Sequence, residues 1–177
     1  MNLTDTIAAV STPRGKGGIA LIRISGHDAL EIAARVFRPK NGKPLADIAS
    51  RQAVYGDIYI IEPDGSPRRA DDGLAVIYRA PASFTGEDTI ELTCHGGVLI
   101  TQAVLEAVFC AGARPAGAGE FTRRAFVAGK IGLSEAEALG LLLEAKTHGQ
   151  LRLARAGMDG ALSREVQEMY GELRGLV

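Results

Sequence analysis

Residues 89–95, which read Thr-Ile-Glu-Leu-Thr-Cys-His, alternate strictly between apolar and polar side chains, and they constrain the fold more than any other stretch. Such alternation is typical of a β-strand with one buried face and one polar face. The polar face carries Glu91 and His95 towards Gly96-Gly97, where an apolar helix begins. Because the N–H groups of a helix start favour anions, this stretch predicts a ligand site. The alternative is a solvated strand face followed by a Gly-Gly turn.

Length, composition and charge limit the class of protein. The chain has 177 residues, enough for one domain and part of a second, and its 46% hydrophobic and 23% charged residues indicate a globular protein. The net charge of −1 argues against a broad basic surface for nucleic acid. With only two cysteines, no secretion signal and no apolar run of about 18 residues, we expect a cytoplasmic protein outside the membrane.

The hydrophobic patterns predict an α+β domain over residues 1–118 and a purely helical segment over 119–177. Strands are predicted at 6–10, 19–25, 53–61, 74–79, 89–95 and 113–116, and helices at 29–37, 98–111, about 135–146 and from about 148 to the end. Asp28 is expected to cap the first helix. Ser134 with Glu137, and Thr147 with Gln150, are expected to form capping boxes.

The second predicted strand contains one charged residue in an apolar setting. Residues 19–25 are apolar on both faces except for Arg23, which indicates a strand inside the sheet. A buried arginine needs a partner, because an unpaired charge is costly in a low dielectric. Glu91 offers the opposite charge. The sequence leaves open whether Arg23 forms a structural ion pair or contacts a ligand.

Several kinds of chemistry are excluded by spacing. The three Gly-Lys pairs, Gly15-Lys16, Gly42-Lys43 and Gly129-Lys130, lack the upstream glycine and the following Ser or Thr of a P-loop, so we expect no nucleotide hydrolysis by this chain. No Gly-x-Ser-x-Gly nucleophile motif occurs. Asp71-Asp72 is interpreted as a solvated acidic pair rather than a metal site, since the usual ligand spacing is missing.

The charged residues that remain in apolar or glycine-rich settings predict a small-molecule site. A glutamate can accept two N–H groups from an aminopyrimidinone edge, and arginine or lysine can hold carboxylates. The ligand would then combine a hydrogen-bonding heterocycle with carboxylates. The candidate site residues are Arg23, Glu91, His95, Arg124 and Lys130.

A series of motifs occurs in one order along the chain. They are Asp5-Thr6-Ile7-Ala8-Ala9, Gly17-Gly18-Ile19-Ala20 with Ile22-Arg23-Ile24-Ser25-Gly26, Ser83-Phe84-Thr85-Gly86-Glu87-Asp88, Glu91-Leu92 with His95-Gly96-Gly97, Gly119-Glu120-Phe121-Thr122 with Arg124-Ala125-Phe126, and Gly129-Lys130 with Glu135-Ala136-Glu137-Ala138. On these motifs the chain resembles the N-terminal part of the MnmE (also called TrmE) family of tRNA modification GTPases. The resemblance covers essentially the whole chain.

The resemblance implies a fold, a ligand and partners. It implies a mixed, mainly antiparallel sheet with flanking helices, similar to folate-dependent aminomethyltransferases, followed by a helical domain into which a GTPase domain is inserted. Family members homodimerise and bind 5-formyltetrahydrofolate or 5,10-methylenetetrahydrofolate. With the flavin protein MnmG they install a carboxymethylaminomethyl-type group at carbon 5 of wobble uridine 34 in tRNA, and their GTP hydrolysis needs Mg²⁺ and K⁺.

The resemblance also implies which residues contact the folate, namely Arg23, Glu91 and Lys130, with His95 and Arg124 as further candidates. No metal site and no catalytic residue for GTP hydrolysis is expected in this chain. Two alternatives are a structural dimerisation module with a vestigial pocket and a free-standing protein similar to the folate-dependent aminomethyltransferases.

Overall fold

The computed structural model of the chain describes residues 5–13, 15–62, 65–160, 166, 169–172 and 174. The chain divides into two compact units, residues 1–121 and residues 122–177, which are considered separately. The predicted functional domain boundary after residue 118 stays a prediction. Among the described residues, no helix combines the length and the hydrophobicity that crossing a membrane requires.

The first unit is built on a sheet. Its strands are β1 (Ile7–Val10), β2 (Ile19–Ser25), β3 (Phe37–Pro39), β4 (Ala53–Ile61), β5 (Pro67–Tyr78), β6 (Thr89–His95) and β7 (Arg114–Pro115). Its helices are α1 (Ala29–Val36) and α2 (Val98–Cys110), together with the start of α3 (Glu120–Val127) and a short 3₁₀ turn at Leu45–Asp47.

Within the described residues the sheet has seven strands in the order β3-β4-β5-β6-β2-β1-β7. Every neighbouring pair is antiparallel except β1 with β7, which is parallel. The predicted mixed, mainly antiparallel sheet with flanking helices is therefore confirmed, as is the interior position of the strand that carries Arg23. The alternation of β6 and the apolar run of β2 are the local signals that specify these two central strands.

Helices α1 and α2 cover one face of the sheet and form the core with it. This face takes alternate residues of each central strand, such as Ile22 and Ile24 of β2 and Ile90 and Leu92 of β6, all of which are completely buried. The opposite face therefore receives the intervening residues of the same strands. The side chains of Arg23 and Glu91 belong to this second face, as the alternation of β6 predicts.

Some local predictions are wrong. Asp28 precedes α1 but makes no capping hydrogen bond, because its carboxylate instead contacts the imidazole of His27 at 2.7 Å. Strand β5 begins seven residues before the predicted strand, since its polar half also pairs with β4. Phe37 ends the predicted first helix but belongs to β3, where its side chain is buried against the sheet.

The second unit consists of helices in the part of the chain that is described. After α3 come α4 (Leu133–Glu144) and α5 (His148–Met158). The capping box of Thr147 and Gln150 is confirmed. Helix α4 begins at Leu133, and the carboxylate of Glu135 accepts the backbone N–H of Gly132, which has no side chain to complete a box, so the box predicted for Ser134 is wrong. Helix α5 ends at Met158, short of the predicted end. Later in the predicted final helix, residues 166, 169–172 and 174 are helical, whereas residues 161–165, 167–168, 173 and 175–177 lie outside the described residues.

Candidate ligand-binding site

Arg23 and Glu91 face each other across the two central strands of the sheet. The antiparallel register of β2 and β6 places them directly opposite, so their side chains leave the same face. Nε and Nη2 of Arg23 donate to the same oxygen, Oε1 of Glu91, at 2.9 and 2.6 Å. The side chains are 26% and 17% exposed, so the pair is partly removed from water while remaining accessible.

Three aromatic side chains surround this ion pair. The Cζ atom of Arg23 lies 5.6 Å from the ring centroid of Phe84 and 5.6 Å from that of Phe121, and the hydroxyl of Tyr78 donates to Oε2 of Glu91 at 3.4 Å. Burial raises the pKa of Tyr78, and the charge of Glu91 raises it further. The chain has four tyrosines, five phenylalanines and no tryptophan, so a third of its aromatic residues meet at one ion pair. This environment suits a planar heterocycle.

The loop of residues 83–88 brings Phe84 to the site, and buried hydroxyls hold this loop on the sheet. Ser25, at the end of β2, lies 2.7 Å from Thr85 Oγ1, and its Oγ donates to Oε2 of Glu87 at 2.7 Å. Ser25 and Thr85 are completely buried. Because buried polar groups without partners are costly, these bonds restrict the loop to one position.

A buried carboxylate fixes the start of α3, which supplies Phe121. Glu120 is only 2% exposed, and its two oxygens accept Nη1 and Nη2 of Arg114 at 3.0 and 2.7 Å. The backbone N–H of Gly117 donates to the same carboxylate at 2.8 Å. Glu120 raises the pKa of Arg114, and Asp5 adds to this effect. The first turn of α3 is thus attached to β7, and Phe121 is the next residue along it.

His95 lies on the same face of β6 as Glu91 but at the other end of the strand. Four residues separate them, which corresponds to about 13 Å along an extended strand. The structure therefore does not bring His95 to Arg23 and Glu91. Its side chain is 72% exposed, and its Nδ1 lies 2.7 Å from Oδ1 of Asp71, whose Oδ2 accepts the backbone N–H of His95 at 2.8 Å.

The contact between His95 and Asp71 shifts the pKa values of both residues. The hydrogen bond to Asp71 and its charge raise the pKa of His95. Burial acts to raise the pKa of Asp71, but the backbone N–H and the imidazole of His95 outweigh it and lower that pKa. Gly73 permits this approach, since a Cβ there would lie 1.9 Å from the carbonyl oxygen of Thr93. The close passage of β5 beside β6 sets Asp71 against His95.

Asp71, Asp72 and His95 each offer one ligand atom within 4.8 Å of the others, a set of donors that could contact a divalent cation. Asp72 is already neutralised by Nη2 of Arg69 at 2.6 Å, and three ligands of this kind also occur on surfaces that bind no ion. The expectation that this chain holds no metal stays a prediction.

The remaining candidates, Arg124 and Lys130, belong to the second unit. Arg124 is buried within α3, with only 4% exposure. Lys130 is exposed, and its backbone N–H donates to the carbonyl of Ala125 at 2.8 Å, which closes the turn after α3. Both residues come after Phe121 in the sequence, and their assignment to the ligand site stays a prediction.

Sequence reasoning identified the ion pair but missed the three aromatic residues around it. Tyr78 is on the face of β5 that continues from Glu91, which depends on the register between two strands. Phe84 lies within the motif Ser83–Asp88, and Gly86 in this motif is the sequence signal for a loop with a defined conformation. Phe121 could not be found from local patterns, because its position depends on the Arg114–Glu120 pair.

Comparison with known proteins identifies the family. A family model described as "GTP-binding protein TrmE N-terminus" matches residues 6–130. The chain belongs to the TrmE N-terminal family. The match begins at the residue before β1 and ends at Lys130, so it includes every predicted site residue.

Curated relatives carry the name "tRNA modification GTPase MnmE". The protein from Symbiobacterium thermophilum is 48% identical over 162 residues, which cover 92% of this chain and 35% of the relative. The protein from Geobacter metallireducens is 47% identical over 174 residues, covering 98% of this chain and 37% of the relative. The protein from Chloroflexus aurantiacus is 48% identical over 165 residues, covering 93% and 35%. The chain therefore spans about a third of the length of these relatives.

Proposed function

We propose that this chain is the folate-binding and dimer-forming part of a tRNA modification GTPase. With a flavin-containing MnmG partner, the whole protein would install a carboxymethylaminomethyl-type group at carbon 5 of wobble uridine 34 in the cytoplasm. This chain would bind the one-carbon donor, 5-formyltetrahydrofolate or 5,10-methylenetetrahydrofolate. GTP hydrolysis, with Mg²⁺ and K⁺, would belong to the portion of the relatives that this chain does not span.

The Arg23–Glu91 pair is the observation that carries the proposal. Arg23 occupies only Oε1 of Glu91, so Oε2 keeps acceptor capacity beyond its long contact with Tyr78. A 2-amino-4-oxopyrimidine edge presents two adjacent N–H donors that suit such a carboxylate. The Arg23 guanidinium contacts the other oxygen, Oε1, and so leaves Oε2 facing the site.

Three charged residues would contact different parts of the folate. Glu91 would accept the N–H groups of the pterin, while Arg23 and Lys130 would bind the glutamate carboxylates or orient the one-carbon carbonyl oxygen. The aromatic residues at the ion pair support a planar ligand, because stacking on rings stabilises flat heterocycles. Homodimerisation is proposed from family membership, and sedimentation of the chain over a range of concentrations tests it directly.

Calorimetric titration with 5-formyltetrahydrofolate tests the ligand and the site together. We expect Arg23→Ala and Glu91→Ala each to weaken binding tenfold or more, because losing a charged hydrogen-bonding partner costs roughly 1.5–3 kcal/mol. Lys130→Ala should weaken binding in the same direction.

The matched control is Glu31→Ala, which removes another Arg–Glu pair with the same 2.6 Å distance to Arg35 on the exposed surface of α1. Its affinity should equal that of the parent chain. A dimeric parent that binds no folate would favour the structural dimerisation module. Unchanged affinity in both Arg23→Ala and Glu91→Ala would reject the site.

A further inference from the structure

The contacts of Arg23 leave part of its hydrogen-bonding capacity unused. Two of its N–H groups point at one oxygen of Glu91. No residue that the structure describes forms a hydrogen bond with its Nη1. An arginine held only by one carboxylate oxygen would move about that contact, since the geometry is not the fork-to-fork arrangement that fixes both groups.

The rings of Phe84 and Phe121 supply the missing restraint. Cζ of Arg23 lies over both rings at 5.6 Å, a distance at which the ring quadrupole attracts a cation. Such an interaction uses the flat face of the guanidinium and consumes none of its N–H donors. A second carboxylate in place of a ring would hold Arg23 equally well but would occupy the donors that a ligand needs.

The two phenylalanines reach Arg23 from separately anchored segments. Phe84 is attached through the buried hydroxyls of Ser25 and Thr85, and Phe121 follows the carboxylate of Glu120 that Arg114 binds. Neither ring is carried on the strands that hold the ion pair. The site is therefore assembled from β2, β6, a loop and a helix start, and the loop and the helix start are each held in place by their own buried polar contacts.

We propose that Phe84 and Phe121 are positioning residues, which hold the guanidinium of Arg23 against Oε1 of Glu91 and thereby keep Nη1 available for an oxygen of the ligand. The class of ligand, a reduced folate, rests on the proposed function. The positioning itself does not, because it describes the state of Arg23 in the protein before any ligand binds.

The first test uses the chain without ligand. Exchange of the Arg23 Nε–H with water, followed by NMR, reports how firmly the guanidinium stays on Glu91. Phe84→Leu and Phe121→Leu keep an apolar side chain but remove the ring, and we expect each to accelerate exchange about two- to fivefold, the factor that an exposed cation–π contact represents. Phe84→Tyr, which keeps a ring, should restore the parent rate.

The matched control removes a ring from a different arginine. Tyr59→Leu abolishes the contact of Arg38 with Tyr59, whose centroid lies 4.2 Å from Cζ, on strand β4. This variant should leave the exchange of the Arg23 Nε–H unchanged. Parent-like exchange in both Phe84→Leu and Phe121→Leu would overturn the proposal, as would equal acceleration by Tyr59→Leu.

The second test is a double-mutant cycle on the affinity for 5-formyltetrahydrofolate. If the rings act through Arg23, Phe84→Leu and Phe121→Leu each weaken binding about two- to fivefold in the parent and have no effect in the Arg23→Ala background. Additive losses would show that the rings act independently of Arg23, which overturns the positioning role. If the parent binds no folate, the proposed ligand fails, and the exchange rates still decide the positioning.

Discussion

Two ion pairs lie on the same face of strand β6, four residues apart, and they differ in their surroundings rather than in their length. Arg23 and Glu91 approach to 2.6 Å, and His95 and Asp71 approach to 2.7 Å. The first pair is partly buried on both sides and bordered by aromatic rings. In the second pair the imidazole is 72% exposed, so water and salt reach one partner freely.

The difference shows which property makes a charged pair suitable for recognition. Partial burial lowers the effective dielectric, which strengthens the interactions of Glu91 with any ligand that displaces water. Exposure weakens the His95–Asp71 pair by screening, but it leaves the imidazole able to titrate near neutral pH. We therefore expect the Arg23 end of β6 to determine affinity and the His95 end to determine a modest pH dependence.

The largest expected effect concerns the support of the Arg23 end. Glu120→Ala should lower the free energy of unfolding by about 3 kcal/mol, because it removes the buried carboxylate that accepts from Arg114 and from the N–H of Gly117, while Asp5 still contacts Arg114. Urea unfolding measures this loss. Glu31→Ala, which breaks an exposed pair on α1, should cost less than about 0.5 kcal/mol. Equal costs for the two variants would contradict the supporting role of Glu120.

The next effect compares the two pairs directly. Glu91→Gln replaces the charged acceptor of Arg23 with a neutral amide and should cost about 2 kcal/mol of unfolding free energy. Asp71→Asn keeps an acceptor for the backbone N–H of His95 and should cost about 1 kcal/mol or less. Both are measured by urea unfolding at pH 7. A larger cost for Asp71→Asn would reverse the proposed ranking of the two ends.

The third effect concerns the loop that delivers Phe84. Ser25→Ala removes the hydroxyl that Thr85 and Glu87 share, which should cost about 1.5 kcal/mol and increase amide exchange in residues 83–88. Ser50→Ala is the control, since its hydroxyl accepts one exposed N–H from Arg79. An unchanged exchange pattern in Ser25→Ala would mean that other contacts hold this loop.

The smallest effect is the pH dependence of the His95 end. The pKa of His95 lies above its ordinary value of 6.5. The stability that its contact with Asp71 contributes to the fold is therefore complete below pH 6.5 and is lost as pH rises through the raised pKa. The pKa of Asp71 lies below 3.8, so its contribution is present above that value and is lost as pH falls through the lowered pKa. The pair therefore stabilises most between about pH 4 and 6.5.

His95→Gln should flatten the decline in unfolding free energy above pH 6.5, as measured by urea unfolding from pH 5 to 9. A shallower decline should remain, because Asp28 raises the pKa of His27 in the same way. If His95→Gln keeps the pH profile of the parent, the His95–Asp71 pair is not the source of the pH dependence.

Much of the fold could be predicted because its signals are local. The alternation of residues 89–95 and the apolar run of 19–25 identified both central strands with the correct ends. Helix caps were less predictable, since short polar side chains choose among several nearby partners. Asp28 contacts His27 instead of its helix, and Glu135 accepts the backbone N–H of Gly132, two residues before Ser134.

For the candidate site, the sequence by itself determined that Glu91 faces away from the core and that Arg23, in an otherwise apolar strand, needs a partner of opposite charge. Only the tertiary structure decided that the two lie opposite each other, that Phe84, Phe121 and Tyr78 surround them, and that His95 stands apart. Side-chain direction along one strand follows from the period of two residues, whereas register and the approach of distant segments depend on packing across the whole sheet.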